Sequence, residues 1–305
     1  MSEPSAFNEQ ARANFQRARF KAFMNRVWST LSGQPTMLLS YDEIKEKLHI
    51  GGPIYRGVQT VRVDQIAGSL NRYHEFDRVF LPASDQLADR WQRVNRAFYQ
   101  EIGLPPVVLY KVGQVYFVVD GHHRVSVARE QGQIYIEADV RECSTRVNIT
   151  PDIKPEDLEI LEDKVRFLER TSLDRLIPEA NIKLTIPDGF ERMLEHIAVH
   201  RYFMGLDLKR DISEEEAIRH WYETVYLPVV NVIRDTDILK EFPGKTEGDL
   251  YLWVLDHQHY LVEEEGIPLQ MPEEAARTFV EIGVKPARKK KTPGTKNKSK
   301  KMEKK

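Results

Sequence analysis

Cysteine is the scarcest residue: Cys143 is the single one in 305 residues. One thiol excludes an intramolecular disulfide framework and any metal site built on paired cysteines, and it fits a reducing, cytoplasmic setting. Long apolar runs are missing too. No stretch approaches the roughly 18 consecutive apolar residues of a membrane-crossing helix, so no membrane partner is expected. The opening Met1-Ser2-Glu3-Pro4 lacks the basic-then-apolar pattern of a secretory signal, and no repeat recurs at solenoid spacing. With 41% apolar and 30% charged residues, the chain has the composition of a folded protein. Its length suffices for one large or two ordinary domains.

The net charge of −2 conceals a division of sign. Residues 285–305 hold eleven Lys or Arg and one acid, leaving 34 basic and 46 acidic residues in the rest, a net of −12. A duplex-binding surface needs a basic face over several phosphates, so DNA binding by the acidic body is disfavoured. The tail has no apolar periodicity and is expected to be unstructured. Two readings stay open for it: an electrostatic tether to nucleic acid or another acidic surface, and a solubilising end.

The densest chemistry lies in residues 115–129, Val-Tyr-Phe-Val-Val-Asp-Gly-His-His-Arg-Val-Ser-Val-Ala-Arg. Tyr116 to Val119 is a β-branched and aromatic run suited to a buried strand, and Gly121 supplies the turn. From His122 the apolar residues Val125, Val127 and Ala128 return at helical spacing until Gly132. Asp120 thus closes the strand, and His122, His123 and Arg124 open the helix. A helix start above a sheet presents free N–H groups and a positive dipole end, and Arg124 adds a forked donor, so the turn suits a phosphate or carboxylate. The bland alternative is that Asp120 caps the helix and the histidines are satisfied core or surface residues.

Around this turn the pattern predicts a small sheet. Val61 and Val63 alternate within a strand over residues 59–63, and residues 64–69 turn away from it. Ser84 reads as the N-cap of a helix to about Glu101, with Leu87, Trp91, Val94 and Phe98 on one face. Residues 107–111 form a strand in hairpin with 116–119 through Val112-Gly113. Ile134, Ile136, Ala138 and Val140 alternate in a strand closing the sheet. Upstream, residues 6–31 read as an amphipathic helix on Phe7, Ala11, Phe15, Ala18, Ala22 and Val27, ended by residues 29–35. Phe20 and Phe23 suggest that it packs on the body or on a second subunit.

At the Asp120-Gly121-His122-His123-Arg124 turn the sequence resembles the ParB/sulfiredoxin superfamily, specifically its Asp-Gly-His-His-Arg branch. The resemblance runs over residues 58–143 and takes in Ile66-Ala67-Gly68-Ser69-Leu70-Asn71-Arg72, Leu104-Pro105-Pro106-Val107-Val108-Leu109-Tyr110-Lys111 and Ile134-Tyr135-Ile136-Glu137-Ala138-Asp139-Val140. It implies a nucleotide-binding fold whose variants bind CTP as a DNA-clamp switch, phosphorylate free serine, or use ATP to repair oxidised peroxiredoxin. The catalytic cysteine of sulfiredoxins falls on His122 here, which removes their thiol chemistry. The Gly-Glu-Arg-Arg motif of ParB clamps is replaced as well. The serine kinases match at Asp120, Gly121 and His122 but also need an upstream glutamate as base, for which Glu75 is the nearest candidate. Gly68, Ser69 and Arg72 resemble a second phosphate-contacting segment.

Beyond residues 148–155 the pattern turns helical, with helices over about 154–170 and 189–204, one from the capping box Ser213 to Glu216, and one from Thr246 past His259. Most aromatics in Arg201-Tyr202-Phe203-Met204, His220-Trp221-Tyr222 and Tyr251-Leu252-Trp253 are expected in the core. His196 with His200, His220 with Glu223, and His257 with His259 have spacings that metal ligands use, but no His-Glu-x-x-His pattern accompanies them, and no metal is assigned to this half. His257 and His259 are expected to hydrogen-bond in the helical core or line its interface with the first domain. Gly244-Lys245-Thr246 lacks the glycine of a phosphate loop, since that position is Leu239, and reads as a turn followed by a helix cap.

The expected architecture is α+β, a small mixed sheet with helices followed by an all-helical domain. Its segments are an N-terminal helix (1–35), a ParB/sulfiredoxin-like domain (50–147), a helical domain (150–284) and a basic tail (285–305). The expected function is nucleotide or phosphate binding, with a nucleoside di- or triphosphate and Mg²⁺, extending to phosphoryl transfer onto a small acceptor. In that reading Asp120 holds Mg²⁺ or orients the acceptor, His123 positions or protonates, and the Gly121 and His122 N–H groups with Arg124 cradle phosphates. The alternative is a non-catalytic regulator, a nucleotide-responsive homodimer whose tail contacts DNA. A nuclease reading lacks an acidic metal cluster.

Overall fold

The computed structural model describes residues 3–32 and 36–283. The basic tail therefore lies outside the described residues, as do residues 33–35 at the expected end of the first helix. The structure is α+β, a six-stranded mixed sheet with helices and a C-terminal helical region. Packing divides the chain into residues 1–181 with 185–199, and residues 182–184 with 200–305. The charged helix expected to open the helical domain folds within the first unit, because Leu158, Val165, Phe167 and Leu168 give it an apolar face to bury.

The first unit contains α1 (Glu3–Ser32), β1 (Leu39–Ser40), α2 (Tyr41–Lys47), β2 (Pro53–Arg62), β3 (Ile66–Ser69), α3 (Ala88–Tyr99), β4 (Val107–Val112), β5 (Val115–Asp120), α4 (His122–Glu130), β6 (Tyr135–Cys143), α5 (Pro155–Thr171) and α6 (Leu173–Leu176). The strand order is β1-β3-β5-β4-β6-β2. β5 lies inside the sheet, parallel to β3 and in antiparallel hairpin with β4. Gly113, at φ +56°, makes that hairpin's turn.

Two expectations about the sheet are corrected. Residues 66–69 do not turn away: they form β3, fully buried beside β5, and Gly68 is admitted because a Cβ there would sit 2.2 Å from the Phe117 ring. β6 does not close the sheet, since β2 pairs outside it over residues 53–62. Ile134 stays exposed just before β6.

Alternation along β5 builds both sides of the core. Tyr116 and Val118 join Val61, Leu109, Val125 and Val140 on one side. Phe117 meets Tyr41 of α2 at 5.6 Å on the other, where the Tyr41 hydroxyl also lies 3.4 Å from the Cys143 thiol. α1 docks through Phe15, Ala18 and Ala22 onto Trp91 and Val127. Asn14 secures it by donating to Asn95 at 3.3 Å and to Tyr99 at 3.0 Å. Phe20 and Phe23 take no part and are exposed. Ser84 makes no side-chain cap; a 3₁₀ turn (Asp85–Leu87) leads into α3.

The second unit holds α8 (Glu214–Trp221), α9 (Leu227–Asp235), α10 (Glu247–Glu265) and α11 (Pro272–Gly283), and α7 (Gly189–Leu208) runs from one unit into the other. A π turn (Tyr222–Tyr226) joins α8 to α9 just before Pro228, which has no N–H for the regular ladder. Trp221, Tyr222, Tyr226 and Tyr251 are buried, with Trp221 donating to the Tyr251 hydroxyl at 3.1 Å. Tyr202 and Phe203 are exposed, against expectation. His259 is exposed beside Glu263, and His257 sits edge-on to Phe279.

Candidate functional site

β5 ends at Asp120 and α4 begins at His122, so the chain reverses at Gly121 alone, with φ +99°. A Cβ at Gly121 would meet Val107 Cγ1 at 2.6 Å and the Arg124 guanidinium at 3.0 Å. The first bond of α4 runs from the Val125 N–H to the Gly121 carbonyl at 3.0 Å. The N–H groups before it lie outside the helical ladder, at the positive end of the dipole.

Both histidines turn inward, each with 3% of its surface exposed. His122 stacks on Phe76 (6.1 Å between centroids, 20° between planes), and its Nε2 lies 2.8 Å from Ser69 Oγ. Ser69 also accepts from the Arg72 N–H at 3.0 Å. His123 meets Phe76 edge-on at 5.5 Å, and neither of its ring nitrogens has a hydrogen-bond partner among the described residues. Burial pushes both histidines down to about 4, and the charge of Arg72 adds to this in each case. Both imidazoles are therefore neutral at pH 7.

Arg72 donates twice to Glu75, at 2.8 Å through Nε and through a second, shorter contact. That pairing holds the Glu75 carboxyl below the usual range. Arg72 and Glu75 both act electrostatically on both histidines. The structure thus brings Ser69, Arg72, Glu75, His122 and His123 together.

Arg124 is placed differently from the expectation of a forked phosphate donor. Its Nη1 donates to the carbonyls of Pro105 and Pro106, the latter at 3.0 Å, and its Nη2 to Asp120 Oδ2 at 2.6 Å. Arg124 braces the turn against the start of β4. Asp120 keeps an exposed carboxylate, its side chain 61% accessible. Gly68 is explained by its packing on Phe117.

Two contributors were not legible in the sequence. Phe76, 1% exposed, is the surface on which both histidines lie. Arg90 of α3 depresses His123 electrostatically and forms no ion pair among the described residues. Trp91 Nε1 donates to Ser126 Oγ at 2.9 Å and so holds α3 against α4 one turn beyond the histidines.

Fold and site together define an α+β protein whose central strand ends in a histidine-rich turn. Among solved structures the chain is similar to one described as the C2221 form of a Pnob8-like ParB-N domain. The two share 11% identity over 77% of this chain and 99% of that one, with a TM-score of 0.20. No family model and no curated protein matches the chain.

Proposed function

We propose that the turn after β5 binds the phosphate groups of a nucleotide, as the resemblance to the ParB/sulfiredoxin superfamily implies. The observation that carries this reading is His123, a buried imidazole with both ring nitrogens unpartnered in the first turn of a helix. Leaving such a group unsatisfied costs about 1–3 kcal/mol, and a bound phosphate oxygen accepting from the one N–H of the neutral His123 ring offsets part of that cost. The free N–H groups of α4 and the charge of Arg90 serve the same ligand.

In the phosphotransferase form of this reading, His123 stays neutral and donates to the transferred group, while Asp120 orients the acceptor hydroxyl. In this reading Glu75 takes the acceptor's proton once Arg72, to which it is bonded, turns to the ligand. The donor set fits Mg²⁺ as nucleotide sites hold it, with one or two carboxylates and the rest from phosphates and water: Asp120 is exposed and singly paired. When bound, Mg²⁺ neutralises phosphate charge.

Calorimetry with ATP, ADP, CTP and GTP in the presence of Mg²⁺ tests the proposal. One nucleotide should bind to wild type and at least tenfold more weakly to His123→Asn and Arg90→Ala. Absence of binding by any of the four, with folding verified by circular dichroism, would overturn it. Product formation would then separate a phosphotransferase from a nucleotide-responsive regulator.

A further inference from the structure

The histidines of the second unit pair differently from their spacing in the sequence. His196 and His200 lie one turn apart on α7, and His220 and Glu223 one turn apart at the end of α8. The contact runs between the two sets instead: His200 Nε2 lies 2.7 Å from His220 Nδ1. The rings are stacked, with 25° between planes and 4.9 Å between centroids. A third donor meets the same nitrogen, because Thr224 Oγ1 lies 3.2 Å from His220 Nδ1. His200, His220 and Thr224 all belong to the second unit, and none of them is buried.

The backbone holds this arrangement in place. His220 falls in the last turn of α8, and the π turn (Tyr222–Tyr226) follows at once. Thr224, inside that turn, donates to the His220 carbonyl at 2.7 Å, which sets its hydroxyl beside the ring. Such π turns recur at functional sites. Two neutral imidazoles open to water gain little from one mutual hydrogen bond, since water offers each ring the same bond. Stability alone is a weak reason for the pairing.

Ligand chemistry is a stronger one. Bonded to both nitrogens at the usual metal–imidazole length of about 2.0–2.1 Å, an ion would see them about 80–85° apart across 2.7 Å. That is close to the right angle between neighbouring positions in square-planar or octahedral coordination, and short of the tetrahedral angle that zinc takes. Nitrogen donors in tetragonal geometry select copper(II) and nickel(II). The site is open: among the described residues no third His, Cys, Asp or Glu joins the pair. The remaining positions fall to the Thr224 hydroxyl and to water. His220 also lines a concavity of about 420 Å³ with Glu215, Glu216, Arg219 and Glu223. Glu216 is spent on Arg210, which leaves Glu215 and Glu223 against Arg219, a balance that favours a cation. When the ion binds, the proton between the rings moves to the far nitrogen of its own ring, so the neutral pair loses none. We propose that His200 and His220 chelate a divalent transition-metal ion, nickel(II) or copper(II), independently of the nucleotide reading above.

Calorimetric titration of the full-length, tag-free chain with nickel(II) and copper(II) chloride, near neutral pH and at tens of micromolar protein, tests this. One ion per chain should bind tightly. Its dissociation constant should rise at least tenfold in His200→Ala and in His220→Ala, with an unchanged far-ultraviolet circular dichroism spectrum. His196→Ala removes the partner that helical spacing alone would assign to His200 and should leave binding within twofold of wild type. Electron paramagnetic resonance of the copper-loaded chain should show coupling to two ring nitrogens in wild type and to one in either ligand variant. Failure of both ions to bind would overturn the proposal, as would binding that survives His220→Ala. A loss in His196→Ala equal to that in His220→Ala would overturn it as well, assigning the ion to α7 alone.

Discussion

Ser69 Oγ stands 2.8 Å from His122 Nε2 and accepts the Arg72 N–H at 3.0 Å, and Ser69 is fully buried. One proton is shared between the Ser69 hydroxyl and His122 Nε2, the serine donating it or accepting it according to the tautomer of the neutral imidazole. Ser69→Ala removes the hydroxyl and leaves Nε2 buried without a partner, which should lower stability by about 1–3 kcal/mol. Urea denaturation measures this. An unchanged midpoint would mean that Nε2 finds another partner.

The histidine pair sets a pH dependence. His122 and His123 titrate at about 4 in the fold and at the ordinary 6.5 once unfolded. Above pH 6.5 both states are neutral and the full stability is present. As pH falls from 6.5 towards 4 the unfolded chain takes up protons that the fold refuses, so stability is lost at up to about 1.4 kcal/mol per unit for each histidine. Arg72 acts in this direction on both residues and Arg90 on His123, while Glu75 opposes it. Glu75, whose carboxyl the hydrogen bond from Arg72 holds below the usual range, keeps its charge as the histidines titrate. Denaturation midpoints at pH 7, 6 and 5 should fall steadily, and His122→Gln with His123→Gln should flatten the slope.

At Gly121 two penalties coincide, the left-handed backbone and a Cβ 2.6 Å from Val107. Gly121→Ala should therefore cost more than the ~1 kcal/mol of an ordinary left-handed glycine replacement, because the Arg124 brace must also give way. Thermal melting reads the loss directly. A drop no larger than that of an exposed left-handed glycine such as Gly132, which has open space around it, would show that the turn relaxes.

The site was legible where chemistry and geometry share one stretch of chain. Asp120, Gly121 and the histidines fall at the strand end and helix start that their own spacing dictates. What the sequence hides is contributed across the fold. β1 and β3, of two and four residues, are too short to alternate. Arg124 looked like a free donor because the Pro105 and Pro106 carbonyls it binds belong to another segment. Phe20 and Ala18 share a helix, and composition alone does not say which of two apolar faces the body covers. The helix starts at Ser213 and Thr246 needed no such context, since each cap bonds within three residues.

The segment around Thr246 carries the last prediction. Thr246 Oγ1 accepts the Asp249 N–H at 3.2 Å, and Asp249 Oδ2 accepts the Thr246 N–H at 2.8 Å, a complete capping box. The same hydroxyl donates to the Lys183 carbonyl at 2.6 Å, tying residues 182–184 to the start of α10. Gly248 follows because a Cβ there would lie 2.5 Å from that carbonyl and 2.8 Å from Leu184 Cδ2. In Gly244-Lys245-Thr246 the threonine is thus a helix cap, and Gly244, at φ +82° with open space around it, makes the turn before it. Gly248→Ala should destabilise the second unit by about 1–3 kcal/mol, since the obstructing atom is backbone and moves only with its segment. Thr246→Ser keeps both hydroxyl bonds and should cost well under 1 kcal/mol, whereas Thr246→Val, isosteric but without the hydroxyl, should cost about as much as a lost cap, ~1 kcal/mol. Hydrogen exchange of the first α10 amides separates these outcomes: protection lost in Thr246→Val but kept in Thr246→Ser supports the cap, and equal loss in both would refute it.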